Sequence, residues 1–342
     1  MNRMTLSVFV LAAAAVAWPR LPAAADEPAL KLGQEAPPAG EAKVIEELVA
    51  FQVALMKKAD ATKRGQHPKP HGCVAATVAV RDDVPKEYRY GLFARPGTYQ
   101  ARIRYSNGTV KDDKENDSHG MAVRVLGVKG PRAVPGDGRE EQHFILADGE
   151  EFFAPDPASV LAFMKAKVEA TAKKDKAVFV DFLKARPDLA KGLAGFVKPP
   201  PPSVLTVPYF SSVPYKLGGT AVKYTATPAA GNGPGHAGEK TKDYLRAALA
   251  ERLAPGKSAA VFVLGVVPQT DPKDTPVEDP TKKWPGAPVP VATITIAAQE
   301  VGECDESVFD PWVSLAEHRP LGGINRARRA VYAASVGVRG GK

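Results

Sequence analysis

The sequence Asn325-Arg326-Ala327-Arg328-Arg329-Ala330-Val331-Tyr332 lies near the end of the chain and predicts a helix over residues 325–335. Arg328 and Tyr332 are four residues apart, so a helix places them on one face. A tyrosine normally stays protonated at neutral pH, but a guanidinium one turn away favours the phenolate. A phenolate is a hard, anionic ligand suited to ferric iron. Taken alone, the pair is more typical of a solvated arginine beside a half-buried ring, so a site here requires a second half elsewhere in the chain.

The candidate for that second half is a loop and strand far upstream. The loop reads Arg64-Gly65-Gln66-His67-Pro68-Lys69-Pro70-His71-Gly72-Cys73. Its two prolines exclude a helix, so we expect an extended segment that leads into a strand over residues 74–80. The sequence of residues 99–106 alternates, which puts Arg102, Arg104 and Ser106 on one strand face. Such a polar face is usually the solvent side, and a lone loop histidine is usually structural.

The remaining periodicities predict an α+β protein. Apolar stripes at helical spacing predict helices over residues 41–60, 158–173, 176–196 and 243–253. Alternation predicts further strands over residues 120–126, 142–147, 203–208, 209–217, 220–227, 259–267 and 289–297. Strands without regular intervening helices favour an antiparallel β-barrel with attached helices.

The N-terminal 25 residues have the features of a secretory signal peptide. Arg3 gives a positive n-region, residues 6–18 form an apolar run too short to span a bilayer, and small residues precede a cut near Ala25. We therefore expect an exported protein, periplasmic if the source is Gram-negative. Residues 26–40 are predicted to be a linker, and residues 41–342 a single domain that begins with an arm helix. No later run reaches transmembrane length, so no stable membrane insertion is expected.

Charge and cysteine content limit the classes of partner. The formal net charge is +8 over 342 residues, and removal of Arg3 and Arg20 with the signal peptide leaves +6. Basic residues are interspersed with acidic ones rather than clustered with aromatics, which argues against nucleic-acid binding. Cys73 and Cys304 are the only cysteines. They form a disulfide only if they lie within bridging distance, and their spacing is not that of a zinc site.

Six sequence motifs, in order between about residues 60 and 336, resemble those of the catalase superfamily of haem proteins. The ending from His318-Arg319-Pro320-Leu321-Gly322 to Tyr332 is especially similar to the short catalase-related branch. The motifs are Arg64-Gly65-Gln66-His67-Pro68-Lys69, Ile103-Arg104-Tyr105-Ser106, Asp117-Ser118-His119-Gly120-Met121-Ala122, Phe210-Ser211-Ser212-Val213-Pro214-Tyr215 with Ala221-Val222-Lys223-Tyr224, Asp279-Pro280-Thr281-Lys282-Lys283-Trp284-Pro285, and Arg328 to Tyr332.

The resemblance implies a catalase-like barrel with a C-terminal helix that carries the ligand of a haem b cofactor. Tyr332 would be the proximal iron ligand, and Arg328 would stabilise its phenolate. Arg64 and Arg104 would pair with the haem propionates, since a guanidinium fork suits a carboxylate. Phe152 would lie against the porphyrin.

On the distal side, the resemblance implies that His67 is the acid–base residue and that Ser106 orients its imidazole. A neutral histidine suits peroxide cleavage because it can take a proton from one oxygen and return it to the other. An anionic proximal ligand donates electron density, which favours cleavage of the O–O bond. His71 is the nearest rival of His67 for the acid–base role and is predicted to be structural. His119 and His143 have no paired ligand spacing and are predicted to be turn and strand residues.

Two departures from the family pattern bear on activity. Family catalases carry a distal Asn just before the strand that corresponds to residues 142–147, whereas this chain reads Gly138-Arg139-Glu140-Glu141-Gln142. Gln142 is the candidate replacement, although its register is off by our alignment. Glu140 and Glu141 are adjacent on a strand and would face opposite sides, which argues against an acid pair. The chain is also short compared with large catalases and has no glycine-rich dinucleotide motif, so the resemblance does not extend to their nicotinamide cofactor site.

We therefore expect a haem-dependent, catalase-related peroxidase that acts on hydrogen peroxide or organic hydroperoxides, with an electron donor that the sequence does not identify. An isomerase or lyase of fatty-acid hydroperoxides is the first alternative, and a long apolar channel would favour it. A haem-binding or lipid-binding barrel without turnover is the second. The resemblance is compatible with a homo-oligomer.

Overall fold

The structure is a computed structural model that describes residues 29–59, 64–235, 238–303 and 308–340. The predicted signal peptide, the start of the predicted linker and Cys304 lie outside these ranges. The described strands are β1 Pro70–Val80, β2 Gly97–Asn107, β3 His119–Leu126, β4 Glu141–Ala147, β5 Tyr209–Phe210, β6 Tyr215–Leu217, β7 Thr220–Pro228, β8 Ala260–Pro268 and β9 Val289–Ile296. The described helices are α1 Glu41–Ala59, α2 Pro157–Lys173, α3 Lys176–Ala185, α4 Pro187–Phe196, α5 Tyr244–Arg252 and α6 Gly323–Val338.

Eight of these strands close into an antiparallel barrel. The order around the ring is β5-β4-β3-β2-β1-β9-β8-β7, and β5 also pairs with β7, which closes it. The short strand β6 forms a hairpin with β7 outside the ring. This closed barrel with attached helices confirms the predicted α+β class.

The barrel interior is filled by apolar and aromatic side chains from every part of the ring. Ile103, Val123 and Phe144 come from adjacent strands and are fully buried. Phe144 packs edge-on against Tyr224, with ring centroids 4.9 Å apart. Each such side chain stabilises the fold by roughly 1.5–3 kcal/mol through its removal from water. Because the interior is packed, a ligand site has to lie between the barrel and the helices outside it.

Three helices form a layer against the outside of the barrel. Leu48 of α1, Leu161 of α2 and Ala327 of α6 are buried together in one apolar cluster.

Cys73, at the start of β1, is disulfide-bonded. Nowhere in the described part of the chain is there a helix of the length and apolarity needed to cross a bilayer.

Three predicted elements differ from the structure. The strand predicted over residues 209–217 is interrupted at residues 211–214, where Ser212 has φ +58° and Pro214 has no N–H, so that only β5 and β6 are strands. The helix predicted over residues 176–196 is broken into α3 and α4 because Pro187 forces Arg186 out of the helical region, to φ −128° and ψ 70°. The strand predicted over residues 203–208 is wrong. Ser203 there accepts the Leu205 backbone N–H in a turn, and Pro208 has no N–H to give to a ladder.

The start of α6 is fixed by an ion-pair cluster centred on Arg326. Its guanidinium contacts Glu35 at 2.6 Å, Glu41 at 2.6 Å and Glu278 at 2.7 Å. The same carboxylates accept backbone N–H groups at the start of the helix: Glu35 from Gly322 and Glu278 from Gly323. Negative groups at a helix N-terminus are favourable, so the cluster satisfies both the arginine and the helix end.

Arg326→Ala is expected to lower the free energy of unfolding by about 2 kcal/mol, because Glu41 and Glu278 lose their counter-charge and Glu35 keeps only Arg319. Urea denaturation followed by circular dichroism measures this change. Arg102→Ala is the matched control, since Arg102 is exposed and has no ion pair among the described residues. Equal stability of the two variants would show that the cluster does not anchor the helix.

Candidate functional site

A cavity of about 480 Å³ lies between the barrel wall and the helices α1, α2, α4 and α6. A smaller one of about 100 Å³ adjoins it, and both have His67 and Tyr332 in their walls. The larger volume is in the range of small-molecule sites. All seven side chains predicted from the sequence line one cavity or the other: Arg64, His67, Arg104, Ser106, Phe152, Arg328 and Tyr332.

His67 is held by its backbone as well as by its ring. Its N–H donates to the Gly108 carbonyl at 2.9 Å, and its own carbonyl accepts Arg104 Nη2 at 2.9 Å. The ring Nδ1 lies 3.1 Å from Ser106 Oγ. The residue has φ +52°, a left-handed conformation that costs energy for a side chain other than glycine and persists only when its surroundings impose it. The loop therefore fixes the imidazole in the cavity.

The His67 ring is neutral at neutral pH. Burial, reinforced by the positive charge of Arg104, lowers its pKa to about 4. In the neutral tautomer whose Nδ1–H donates to Ser106 Oγ, Nε2 carries a free lone pair. Any proton exchange with a ligand then falls to Nε2.

Gly120 on β3 makes room for this ring. It pairs with Ser106 of β2 across the ladder. A Cβ at position 120 would lie 2.8 Å from His67 Nδ1 and 3.0 Å from Ser106 Oγ. Any side chain there would push the imidazole out of place. The sequence placed Gly120 in the motif over residues 117–122, but it did not show that the His67 ring packs against this glycine.

The face of α6 that lines the cavity carries Arg328 and Tyr332. Arg328 Nη2 lies 3.5 Å from Tyr332 Oη, a long contact in which charge matters more than the hydrogen bond. Burial alone would lower the pKa of Arg328, but the nearby Tyr332 and Tyr215 hydroxyls outweigh it, and that pKa is raised. A permanent cation thus lies beside the Tyr332 oxygen.

Asn325 holds this pair in position. Its Nδ2 donates to the Pro214 carbonyl at 2.9 Å, and its Oδ1 accepts Arg328 Nη1 at 3.3 Å. Its carbonyl accepts Trp312 Nε1 at 2.8 Å. Asn325 therefore links the arginine to the loop between β5 and β6.

One end of the cavity is rich in arginine. Arg64, Arg104 and Arg339 all line the smaller cavity. Arg339 is seven residues after Tyr332 and so lies on the same helix face. Its Nε is buried without a hydrogen-bond partner among the described residues, and burial lowers its pKa. Our sequence analysis missed Arg339, although its spacing from Tyr332 was a usable signal.

The rest of the larger cavity is mainly apolar. Phe152 and Phe153, with ring centroids 4.8 Å apart, line it together with Phe163 and Phe196. Phe153, like Arg339, was not predicted. Gly192 allows α4 to approach this wall, since a Cβ there would lie 2.2 Å from the Phe153 carbonyl oxygen.

Gln142 does not replace the missing asparagine. Its side chain is buried outside the cavity walls, where Oε1 accepts the Leu315 N–H at 2.9 Å. Two other amide side chains, Gln52 and Gln66, do line the cavity. Glu140 is exposed, and Glu141 is an ion-pair partner of Arg124.

The three histidines that were predicted to be structural are buried outside the cavity walls, and each forms a hydrogen bond with a polar side chain. These pairs are His71 with Asn107, His119 with Asp148, and His143 with Glu141.

Comparison with solved structures identifies the architecture. A fungal catalase matches with a TM-score of 0.64 and 16% identity over 93% of this chain and 67% of that chain. Catalase A from Saccharomyces cerevisiae matches with a TM-score of 0.63 and 17% identity over 92% of this chain and 68% of that chain. The chain has the catalase fold.

A bacterial catalase matches this catalase-fold chain with a TM-score of 0.62 and 17% identity, over 92% of this chain and 63% of that chain. The protein thus spans about two thirds of the length of the catalases that it matches. No protein-family model matches the sequence, and no curated protein does. At this identity, the likeness establishes the fold alone.

Gly120→Ala is expected to displace the His67 ring, and to cost about 1–3 kcal/mol of stability through overpacking. Because displacement relieves burial, the pKa of His67 should rise from about 4 towards its ordinary value of about 6.5. NMR titration of the imidazole measures it.

Gly138→Ala is the control, because a Cβ at position 138 meets nothing within 4 Å. An unchanged His67 titration in Gly120→Ala would contradict the steric role assigned to Gly120.

Proposed function

We propose that this protein is an exported haem b-dependent peroxidase of the catalase type, which reduces hydrogen peroxide or organic hydroperoxides with electrons from a separate donor. Tyr332 would bind the haem iron, and His67 would be the acid–base residue. The observation that carries the proposal is that one cavity system holds both a neutral, serine-bound histidine and an arginine-flanked tyrosine. The catalase fold around them supports the same conclusion.

The residues in the cavity fit a haem. The unpaired Arg339 Nε, together with Arg64 and Arg104 in the same wall, suits the two carboxylates of a porphyrin. Arg104 also donates to the His67 carbonyl, so its predicted role at a propionate would be added to a role in holding the loop. The phenylalanine wall suits the apolar ring. When bound, haem supplies the redox chemistry that cleaves the peroxide O–O bond.

The side chains of this protein would direct the protons. His67 Nε2 accepts a proton from one peroxide oxygen and delivers it to the other as the O–O bond breaks. Ser106 keeps the other ring nitrogen engaged, and the low pKa of His67 keeps it ready to accept a proton at neutral pH. The Arg328 cation beside the Tyr332 oxygen suits an anionic iron ligand at that position.

A second candidate is an isomerase or lyase of fatty-acid hydroperoxides. The observation that favours it is the apolar extension of the cavity between α1, α2 and α4, which is lined by Leu55, Met164 and Leu193. Lys167 also lines this part and would suit the carboxylate of a fatty acid. The two candidates share the same haem site and differ in substrate and product.

Tyr332→Phe is expected to lose or greatly weaken haem binding, because the iron loses its anionic ligand. We would express the protein with added haem and record the Soret absorbance per protein. Tyr90→Phe is the matched control, since Tyr90 is 40% exposed and lies outside the cavity walls. Unchanged haem content and spectrum in Tyr332→Phe would remove Tyr332 from the site, and a folded wild type without haem would contradict the proposed function.

His67→Gln is expected to keep its haem and to lose about 10²–10⁴-fold in turnover, because the acid–base group is gone. Hydrogen peroxide, cumene hydroperoxide and a linoleic acid hydroperoxide would be tested with a dye as electron donor. Reduction to water or alcohol with dye oxidation supports the peroxidase, whereas rearranged fatty-acid products without dye oxidation support the second candidate. Undiminished turnover in His67→Gln would exclude His67 as the base.

A further inference from the structure

The three consecutive helices α2, α3 and α4, which we term the helical cap, are unusually basic. Residues 157–196 contain eight Lys and Arg against four Asp and Glu, a net +4. These 40 residues therefore carry half of the formal charge of a 342-residue chain. Lys167, Lys174, Lys176 and Lys191 are exposed and have no ion pair among the described residues. The cap thus carries a local excess of unneutralised positive charge.

The same cap is also apolar where a soluble surface would be polar. Helix α3 contains Val178, Phe179, Val180, Phe182 and Leu183, yet none of its residues is buried. Val180 is 47% exposed. Phenylalanine and valine are normally among the most buried residue types. The other four apolar side chains are partly exposed, and the same helix carries Lys176 and Lys184. Partly exposed apolar side chains on a lysine-bearing helix are typical of a binding surface.

This patch is continuous with the cavity. A run of aromatic contacts leads outward from the cavity wall: Phe153 to Phe163 at 4.9 Å between centroids, Phe163 to Phe179 at 5.3 Å, and Phe179 to Phe182 at 6.2 Å. Phe153 and Phe163 line the cavity, whereas Phe179 and Phe182 belong to α3. An apolar molecule that meets the cap is therefore close to the apolar end of the site.

We propose that the helical cap docks peripherally on an anionic lipid surface. Helices that combine lysine with phenylalanine, leucine and valine lie in the plane of a bilayer interface, with the apolar side chains in the headgroup region. The four unpaired lysines complement the negative charge of such a surface, and their long stems can extend towards the phosphates. The docking itself does not depend on haem.

The docked cap would bring the apolar end of the cavity against the lipid. A hydroperoxide formed on an acyl chain could then pass between the phenylalanines towards His67 without crossing water. This consequence rests on the proposed function, whereas the docking does not. It deepens that function by favouring lipid-derived hydroperoxides over hydrogen peroxide as the substrate class.

Vesicle flotation tests the docking. We would use vesicles of equal parts phosphatidylcholine and phosphatidylglycerol, with pure phosphatidylcholine vesicles for comparison. The wild type should float with the anionic vesicles and be released by high salt. The double variant Lys176→Glu with Lys191→Glu should partition roughly thirtyfold less, since each lysine near such a surface contributes about 1 kcal/mol.

The matched control is Lys86→Glu with Lys257→Glu, which makes the same change of net charge outside the cap. Both lysines are exposed and have no ion pair among the described residues. Equal losses in the two double variants would mean that only net charge matters, and would overturn the assignment of the cap. Absence of wild-type binding to anionic vesicles would also overturn it.

Val180→Asp separates docking from self-association. The variant should keep its circular dichroism and sedimentation coefficient but float less with anionic vesicles. A different outcome would overturn the proposal. If the wild type sediments as a dimer, Val180→Asp sediments as a monomer, and neither protein binds vesicles, then a second copy of the chain covers the cap. Flotation is scored on total protein, so a wild type that floats but lacks haem contradicts only the proposed function.

Discussion

The carboxylate cluster around Arg326 is the interaction on which the site depends. It joins Glu35 from the segment before α1, Glu41 from α1 and Glu278 from the loop between β8 and β9 to the start of α6. These contacts, together with the burial of Ala327 against α1 and α2, fix the rotation of α6 about its axis. With Arg326 fixed, the residues two and six positions later, Arg328 and Tyr332, must face the barrel. The ion pairs at the helix start thus determine which side chains enter the cavity.

The surroundings of His67 depend on strand register. Ser106 and Gly120 face each other because β2 and β3 pair in one particular register, and a slip by one residue would turn both to the opposite sheet face. The missing side chain at Gly120 then provides the space that the His67 ring occupies. The loop before β1 can hold its histidine at a positive φ because Gly108 and Arg104 bind its backbone on both sides. The geometry around His67 is therefore set by the pairing of β2 with β3.

The sequence was sufficient where the determining contacts are local. The Arg328–Tyr332 pair follows from helical spacing, and the barrel follows from alternation. Arg104 and Ser106 were harder to assign to a site from the sequence, because a polar strand face normally faces solvent. Here that face lines a cavity between the barrel and the helices. Arg339 lies on the same helix face as Tyr332, but its role at the cavity becomes visible only when the cavity wall is known. The break at Pro187 could have been read from the proline itself, since the residue before a proline disfavours the helical region.

His67 and Arg328 show how one cavity can hold one neutral group and one positively charged group. Burial disfavours the charged form of both. For His67, the nearest strong charge is Arg104, which adds to the effect of burial, so the imidazole stays neutral. For Arg328, the hydroxyls of Tyr332 and Tyr215 outweigh burial, so the guanidinium stays charged. The neutral group can exchange a proton and the charged group can hold an anion, and the proposed function requires both.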